Sequence, residues 1–363
     1  MRKVRFNLLF LALVPTLFLW RAPDVAAKDW MLTMKHDGLT IEGEAIHWSR
    51  NDFFILGRDG KLWEFENSEA PRAKKIKEPF SSYTQQELRA SLQQEYGTLY
   101  DVSGTGHFLV VHPRGQRDVW AGRFEQLYRE MIHYFTSRRI KVHDPELPLV
   151  AVVFATESEF TSHARKDGMK SNDVLGYYST RSNRILLYDQ TGGRYPNWRE
   201  NALTIVHEAA HQTAFNIGLH NRFADTPRWL SEGLGTLFEA PGVNNGSKFR
   251  KLEDRINDAE LATYLRYFPE ELPAGTIKSL VASDKFFRSA PLKSYCVAWA
   301  TTFTMAERQP LQLAEYLQVT ARQRKTFMLA DSPGSRLNDF QQAFGMDPDK
   351  MQDRVDDYIR SLK

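Results

Sequence analysis

Apolar and polar positions alternate with a period of two between residues 30 and 78, the spacing of side chains on half-buried strands. The stretches "LTIEGEAIHW", "DFFILG" and "KLWEFE" are rich in β-branched and aromatic residues, which suit a pleated surface. Arg58-Asp59-Gly60 separates the last two as a hairpin-like turn. Three short strands in a meander are predicted. The alternation stops at "APRAKKIKEP", a basic, proline-flanked stretch that reads as a linker. Residues 28–78 are therefore expected to form a separable accessory module.

The pattern then changes to a mixture of helical and strand spacing. "SYTQQELRASLQQEYG" predicts a helix and "HFLVVHP" a strand. Phe124, Leu127, Tyr128, Met131 and Phe135 recur at helical spacing and mark a long helix. "LPLVAVVF" is apolar throughout, as in a strand buried on both faces. A short helix over 157–167 follows, and "VLGYYST" and "RILLYD" pair as a hairpin. Next, Leu203, Val206, Ala210, Thr213 and Ile217 form the apolar face of a helix. Asn197, with Glu200 three residues on, is placed to cap its start, and Gly218 to end it. Beyond residue 219 the pattern is mainly helical. The predicted class is α+β, with a mixed-sheet half over 79–219 and a helical half over 220–363.

The two ends and the charge narrow the function. Arg2, Lys3 and Arg5 precede the apolar run "FNLLFLALVPTLFLW", and Val25-Ala26-Ala27 supplies small residues at a cleavage site. Residues 1–27 are read as a secretory signal, with an uncleaved membrane anchor as the alternative, so the mature chain is expected outside the cytoplasm, in the periplasm, at the cell surface or beyond. No later segment approaches the length of a membrane span. The chain carries 48 basic and 45 acidic residues; loss of residues 1–27 leaves 44 of each. A neutral mature chain without a basic stripe excludes nucleic acid as the expected partner. Cys296 is the one cysteine, so no internal disulfide forms, and its apolar neighbours predict a buried thiol.

The chemistry concentrates in His207-Glu208-Ala209-Ala210-His211, an H-E-x-x-H pattern. Positions four apart lie one above the other on a helix, so His207 and His211 aim two imidazoles at one point, with Glu208 beside it. Ala214 and Ile217 stand where a metzincin needs Gly and His, which excludes that class. The third donor has three candidates. His220 and Asp225 follow on the loop. Glu232, in "TPRWLSEGLGTLFEAPG", is the better one. Thr226 as cap and Pro227 as first residue would start a second, antiparallel helix that Pro241 stops. Gly233 and Gly235 each cost that helix about 1 kcal/mol relative to Ala, which a close approach of two helix backbones would explain. Two imidazoles, a carboxylate and an open position suit one Zn²⁺ per chain. His107, His112, His133 and His143 stand singly and are read as structural.

HEAAH, then 20 residues, then Glu within W-L-S-E-G resembles the gluzincin zinc hydrolases, which include thermolysin-like and aminopeptidase-like enzymes. The longer string "LGYYSTRSNRILLYDQ … TIVHEAAHQTAFNIGLHNRFADTPRWLSEGLGTLFEAPGV" is similar to an uncharacterised bacterial family of exported HExxH proteins, a domain of unknown function. The resemblance runs from about residue 80 to 345. It implies a gluzincin-like zincin core, zinc held by His207, His211 and Glu232, and a peptide or protein substrate. Glu208 would take a proton from zinc-bound water and return it to the leaving amine. Thermolysin-like enzymes support a ligand His with an Asp four residues after the ligand Glu; Thr236 stands there, and Glu239, one turn on, is the substitute. The strand matching Tyr177 and Tyr178 lines the substrate cleft in gluzincins. Tyr295, 63 residues after Glu232, matches the tyrosine that stabilises the oxyanion in aminopeptidase-like members. A non-catalytic cell-surface binding module on the same fold is the alternative.

Overall fold

A computed structural model describes residues 30–116, 120–169, 174–190, 198–322 and 331–362. Residues 1–27, expected to be a signal segment, and Asn197 lie outside the described residues. The chain is mixed α+β, with two five-stranded sheets followed by a helical part.

The first sheet contains β1 (Met31–His36), β2 (Leu39–Trp48), β3 (Asp52–Gly57), β4 (Leu62–Glu66) and β5 (Lys74–Ile76). It is antiparallel, in the order β4-β3-β2-β1-β5. The three-strand expectation missed both β1 and β5. β1 turns into β2 through Asp37-Gly38, both at positive φ, an Asp-Gly hairpin signal that the alternation obscured. β5 falls inside the supposed linker and pairs with β1. Its Lys74 and Lys75 are typical of an edge strand, where charge discourages further pairing. Leu32, Met34, Ile41, Phe53, Ile55 and Phe65 close a small core of their own.

The second sheet follows α1 (Gln85–Tyr96), which Thr84 and Glu87 start with a reciprocal capping box. Its strands are β6 (Tyr100–Gly104), β7 (Phe108–Pro113), β8 (Leu149–Phe154), β9 (Gly176–Ser179) and β10 (Arg184–Tyr188), in the order β6-β7-β8-β10-β9. β7, β8 and β10 are parallel, and the two outer strands run antiparallel to their neighbours. α2 (Ala121–Ser137) and α3 (Glu157–Lys166) make the crossovers. β8 is buried on both faces. Leu149, Ala151 and Val153 join the main core, whereas Val150, Val152 and Phe154 join a second cluster with Leu88 and Phe160. α4 (Trp198–Asn216) then packs on the main-core face.

The remaining helices are α5 (Arg228–Phe238), α6 (Pro241–Asn244), α7 (Asp258–Tyr267), α8 (Thr276–Ala282), α9 (Lys285–Ser289), α10 (Pro291–Arg308), α11 (Pro310–Ala321), α12 (Pro333–Phe344) and α13 (Pro348–Arg360). Two expected boundaries shift. Pro227, not Thr226, occupies the position before α5, and Pro241 opens α6 rather than ending α5. A proline is welcome at a first helical position because its missing N–H would be unsatisfied there anyway. Among the described residues no helix is long and apolar enough to cross a membrane.

The small sheet is tied to the rest through buried polar groups. Arg222, on the loop after α4, donates to the carbonyl oxygens of Gly60 at 2.9 Å and Thr180 at 2.7 Å. The Leu62 N–H donates to Arg181 O at 2.7 Å, and Lys61 meets Glu95 of α1 at 3.2 Å.

Candidate metal centre

α4 presents His207 and His211 one turn apart, with their Nε2 atoms 3.0 Å from each other. α5 brings Glu232 to the same place, its Oε2 at 3.4 Å from His207 Nε2 and 3.5 Å from His211 Nε2. These three residues form a donor group that could hold a metal ion, all three ligand atoms lying within 4.8 Å of one another. Metal–donor bonds of about 2.0–2.1 Å in a tetrahedron put neighbouring donors about 3.3 Å apart. The three observed separations bracket that value, so the donor set fits a small cation without rearrangement.

The glycines of α5 explain the fit. A Cβ on Gly235 would stand 2.7 Å from the Cε1 of His207, so the ring rests directly on the α5 backbone. Gly233 faces the other way, where a Cβ would come within 2.7 Å of the Ala298 carbonyl oxygen on α10. The expected close approach of two helix backbones therefore occurs between α5 and α10. Towards α4, the contact is between backbone and imidazole.

Glu239, at the end of α5, places Oε1 2.8 Å from His207 Nδ1. A proton on Nδ1 leaves the Nε2 lone pair facing the donor set, the tautomer that a ligand histidine needs. Asn257 donates to Glu239 Oε2 at 2.9 Å and to the Thr236 carbonyl at 3.0 Å. Thr236 itself bonds back to Glu232 O within the helix. Burial opposes charge on His207, but hydrogen bonds to Glu232 and Glu239 outweigh it and raise its pKa well above the usual value. Burial likewise opposes charge on Glu232, and its bonds to His207 and His211 hold the carboxyl well below the usual range. The cluster is electrostatically built around positive charge.

Glu208 lies beside the donors with Oε2 accepting from the Tyr178 N–H at 2.7 Å. β9 thus touches the site through its backbone. The Tyr178 hydroxyl donates inward to Asn183 Oδ1 at 2.7 Å, and its ring packs on Phe215. The Tyr177 side chain packs against Phe160, and its hydroxyl donates to Asp167 at 2.9 Å. Tyr295, on α10, lies 3.5 Å from Arg228 Nη2, while Arg228 Nε donates to Glu232 Oε1 at 3.2 Å. Burial, then the charge of Glu232, pushes the Tyr295 phenol up to about 12, so it stays protonated at neutral pH.

The two alternative third donors are placed elsewhere. His220 is buried against Phe215, and burial lowers its pKa to about 3. Asp225 accepts from Arg336 at 2.7 Å. Arg228 and Asn257 were not singled out from the sequence. The four-residue spacing from Arg228 to Glu232 on one helix was a readable signal. Asn257 has no local signal, since it reaches Glu239 only after the chain turns back through α6.

Residues 201–326, from within α4 past the end of α11, match a family described as protein of unknown function (DUF1570). All three donors and Tyr295 fall inside that domain. No curated protein matches the chain.

Proposed function

We propose that the chain is an exported zinc-dependent hydrolase, most directly a peptidase with a gluzincin-type core. The supporting observation is the convergence of His207, His211 and Glu232 within 4.8 Å, with Glu208 held alongside. Zinc in that position would supply a Lewis acid and a water of lowered pKa. Glu208, steadied through one oxygen by the Tyr178 N–H, serves as the base that takes a proton from the attacking water and passes it to the leaving amine. Tyr295 offers a neutral phenol donor for the charge that develops on the carbonyl oxygen. β9 is an outer strand, so an extended peptide or protein segment can lie along it beside Glu208, which already takes the Tyr178 N–H.

The test is metal analysis of the purified mature protein together with a peptide-library cleavage assay. The Glu208→Gln variant is expected to keep zinc and fold but to lose about 10² to 10⁴-fold in rate. Equal cleavage by that variant sinks the mechanism. Stoichiometric zinc without any cleavage returns the alternative, a metal-stabilised binding module.

A further inference from the structure

We propose that Arg228 is a positioning residue of this centre, holding the outer oxygen of Glu232 and the phenol oxygen of Tyr295 with one guanidinium. The inference rests on the metal reading of His207, His211 and Glu232.

Four contacts fix Arg228. Its Nε donates to Glu232 Oε1 at 3.2 Å, and its Nη2 reaches the Tyr295 hydroxyl at 3.5 Å. Its guanidinium lies over the Phe287 ring at 4.9 Å, and its own N–H donates to Asp284 at 3.3 Å. Phe287 in turn meets Tyr295 edge-on at 5.3 Å. Arginine, phenylalanine and tyrosine thus form one packed wall beside Glu232.

The consequence is a division of labour between the two oxygens of Glu232. Oε2 faces the histidines and Oε1 faces the guanidinium. A carboxylate with both oxygens free can chelate a metal and fill a second coordination position. With Oε1 held, Glu232 would offer a bound metal one oxygen, which would leave a fourth position for water, as a catalytic site requires. At Tyr295 the phenol oxygen accepts from Arg228, which leaves its single proton for another acceptor. Lysine could supply the charge but not the flat, forked donor that serves both partners.

The arginine's charge also repels a cation. Its side chain is 43% exposed, so solvent screens that repulsion to an effect of about a few-fold on affinity. Loss of an outer partner that orients a ligand typically costs roughly 10–100-fold in metal affinity. Positioning therefore outweighs repulsion.

The test compares wild type, Arg228→Ala and Arg228→Lys by zinc competition against a chromophoric chelator and by the visible spectrum of the cobalt-substituted protein. Arg228→Ala should bind zinc roughly 10–100-fold more weakly. Its cobalt bands should lose intensity as Glu232 turns to two-oxygen ligation. Arg228→Lys should keep the altered cobalt spectrum, because charge without the fork does not hold Oε1. Wild-type affinity and spectrum in Arg228→Ala, or full rescue of both by lysine, overturn the inference alone. A wild-type chain that binds neither metal overturns the metal reading and this inference with it.

Discussion

Glu239 does for His207 what no residue inside the HEAAH motif can do, because the Nδ1 of a ligand histidine faces away from its own site. The 2.8 Å contact fixes the orientation of the ring, and Asn257 fixes Glu239. Glu239→Ala is expected to weaken zinc binding by roughly 10–100-fold while the fold is retained, as read by chelator competition and circular dichroism. Undiminished affinity would mean that the α5 backbone under the ring positions His207 by itself. Tyr295→Phe removes only the phenol oxygen. Zinc content should not change, whereas turnover of any substrate found should fall about 10²-fold or more, the range for one lost oxyanion donor. An unaltered kcat would reduce Tyr295 to a packing role.

At the level of elements, α4 and α5 form the centre only because α5 has no side chain where it meets the His207 ring. Gly235→Ala places a Cβ 2.7 Å from the imidazole, so the ring or the helix must move. Its main expected effect is loss of metal affinity. Gly233→Ala instead drives α5 against the Ala298 carbonyl on α10, a rigid backbone contact. Its main expected effect is on stability, about 1–3 kcal/mol in chemical denaturation, the usual range for overpacking. If the two variants behave alike, α4 and α10 are not independent neighbours of α5. The apolar stripe of α4 was legible in part: Ala210, Thr213 and Ile217 are buried, but Leu203 is 58% exposed. Position along a helix gives a face. What covers that face is decided by the elements around it.

Across the whole molecule, the small sheet shares ion pairs and buried hydrogen bonds with the core rather than hanging from a linker. Glu95 of α1 meets Lys61 of the small sheet's β3–β4 turn and Arg184 of β10. Burial would raise its pKa, but the charges of Arg184 and Lys61 prevail and lower it from 4.5 to about 2. A carboxylate depressed in the folded state contributes stability that is fully present above its unfolded pKa and is lost as pH falls through the folded one. Docking of the small sheet should therefore weaken between about pH 4.5 and 2. Fluorescence of Trp30 and Trp63 as a function of pH checks this, with Glu95→Gln expected to flatten the transition in that window. An identical transition in the variant would assign it to other carboxylates. Arg222 adds a second tie, because removal of the small sheet strips the Gly60 carbonyl from a buried guanidinium.

What the sequence determined alone was whatever is written in local spacing. Period two gave β2, β3 and β4. Helical period gave α2 and α4, and the four-residue step from His207 to His211 aligned two imidazoles before any tertiary contact was known. Glu232 was legible because its helix is short and follows closely. The tertiary structure decided what depends on distant neighbours. β5 is a strand because β1 lies next to it, and Gly233 serves α10 because that helix returns from more than sixty residues away. The Tyr178 hydroxyl turns inward because the buried Asn183 is there to receive it, and that of Tyr177 turns to Asp167 at the surface. Local patterns fix which way a side chain faces on its own element, whereas only packing fixes what it faces.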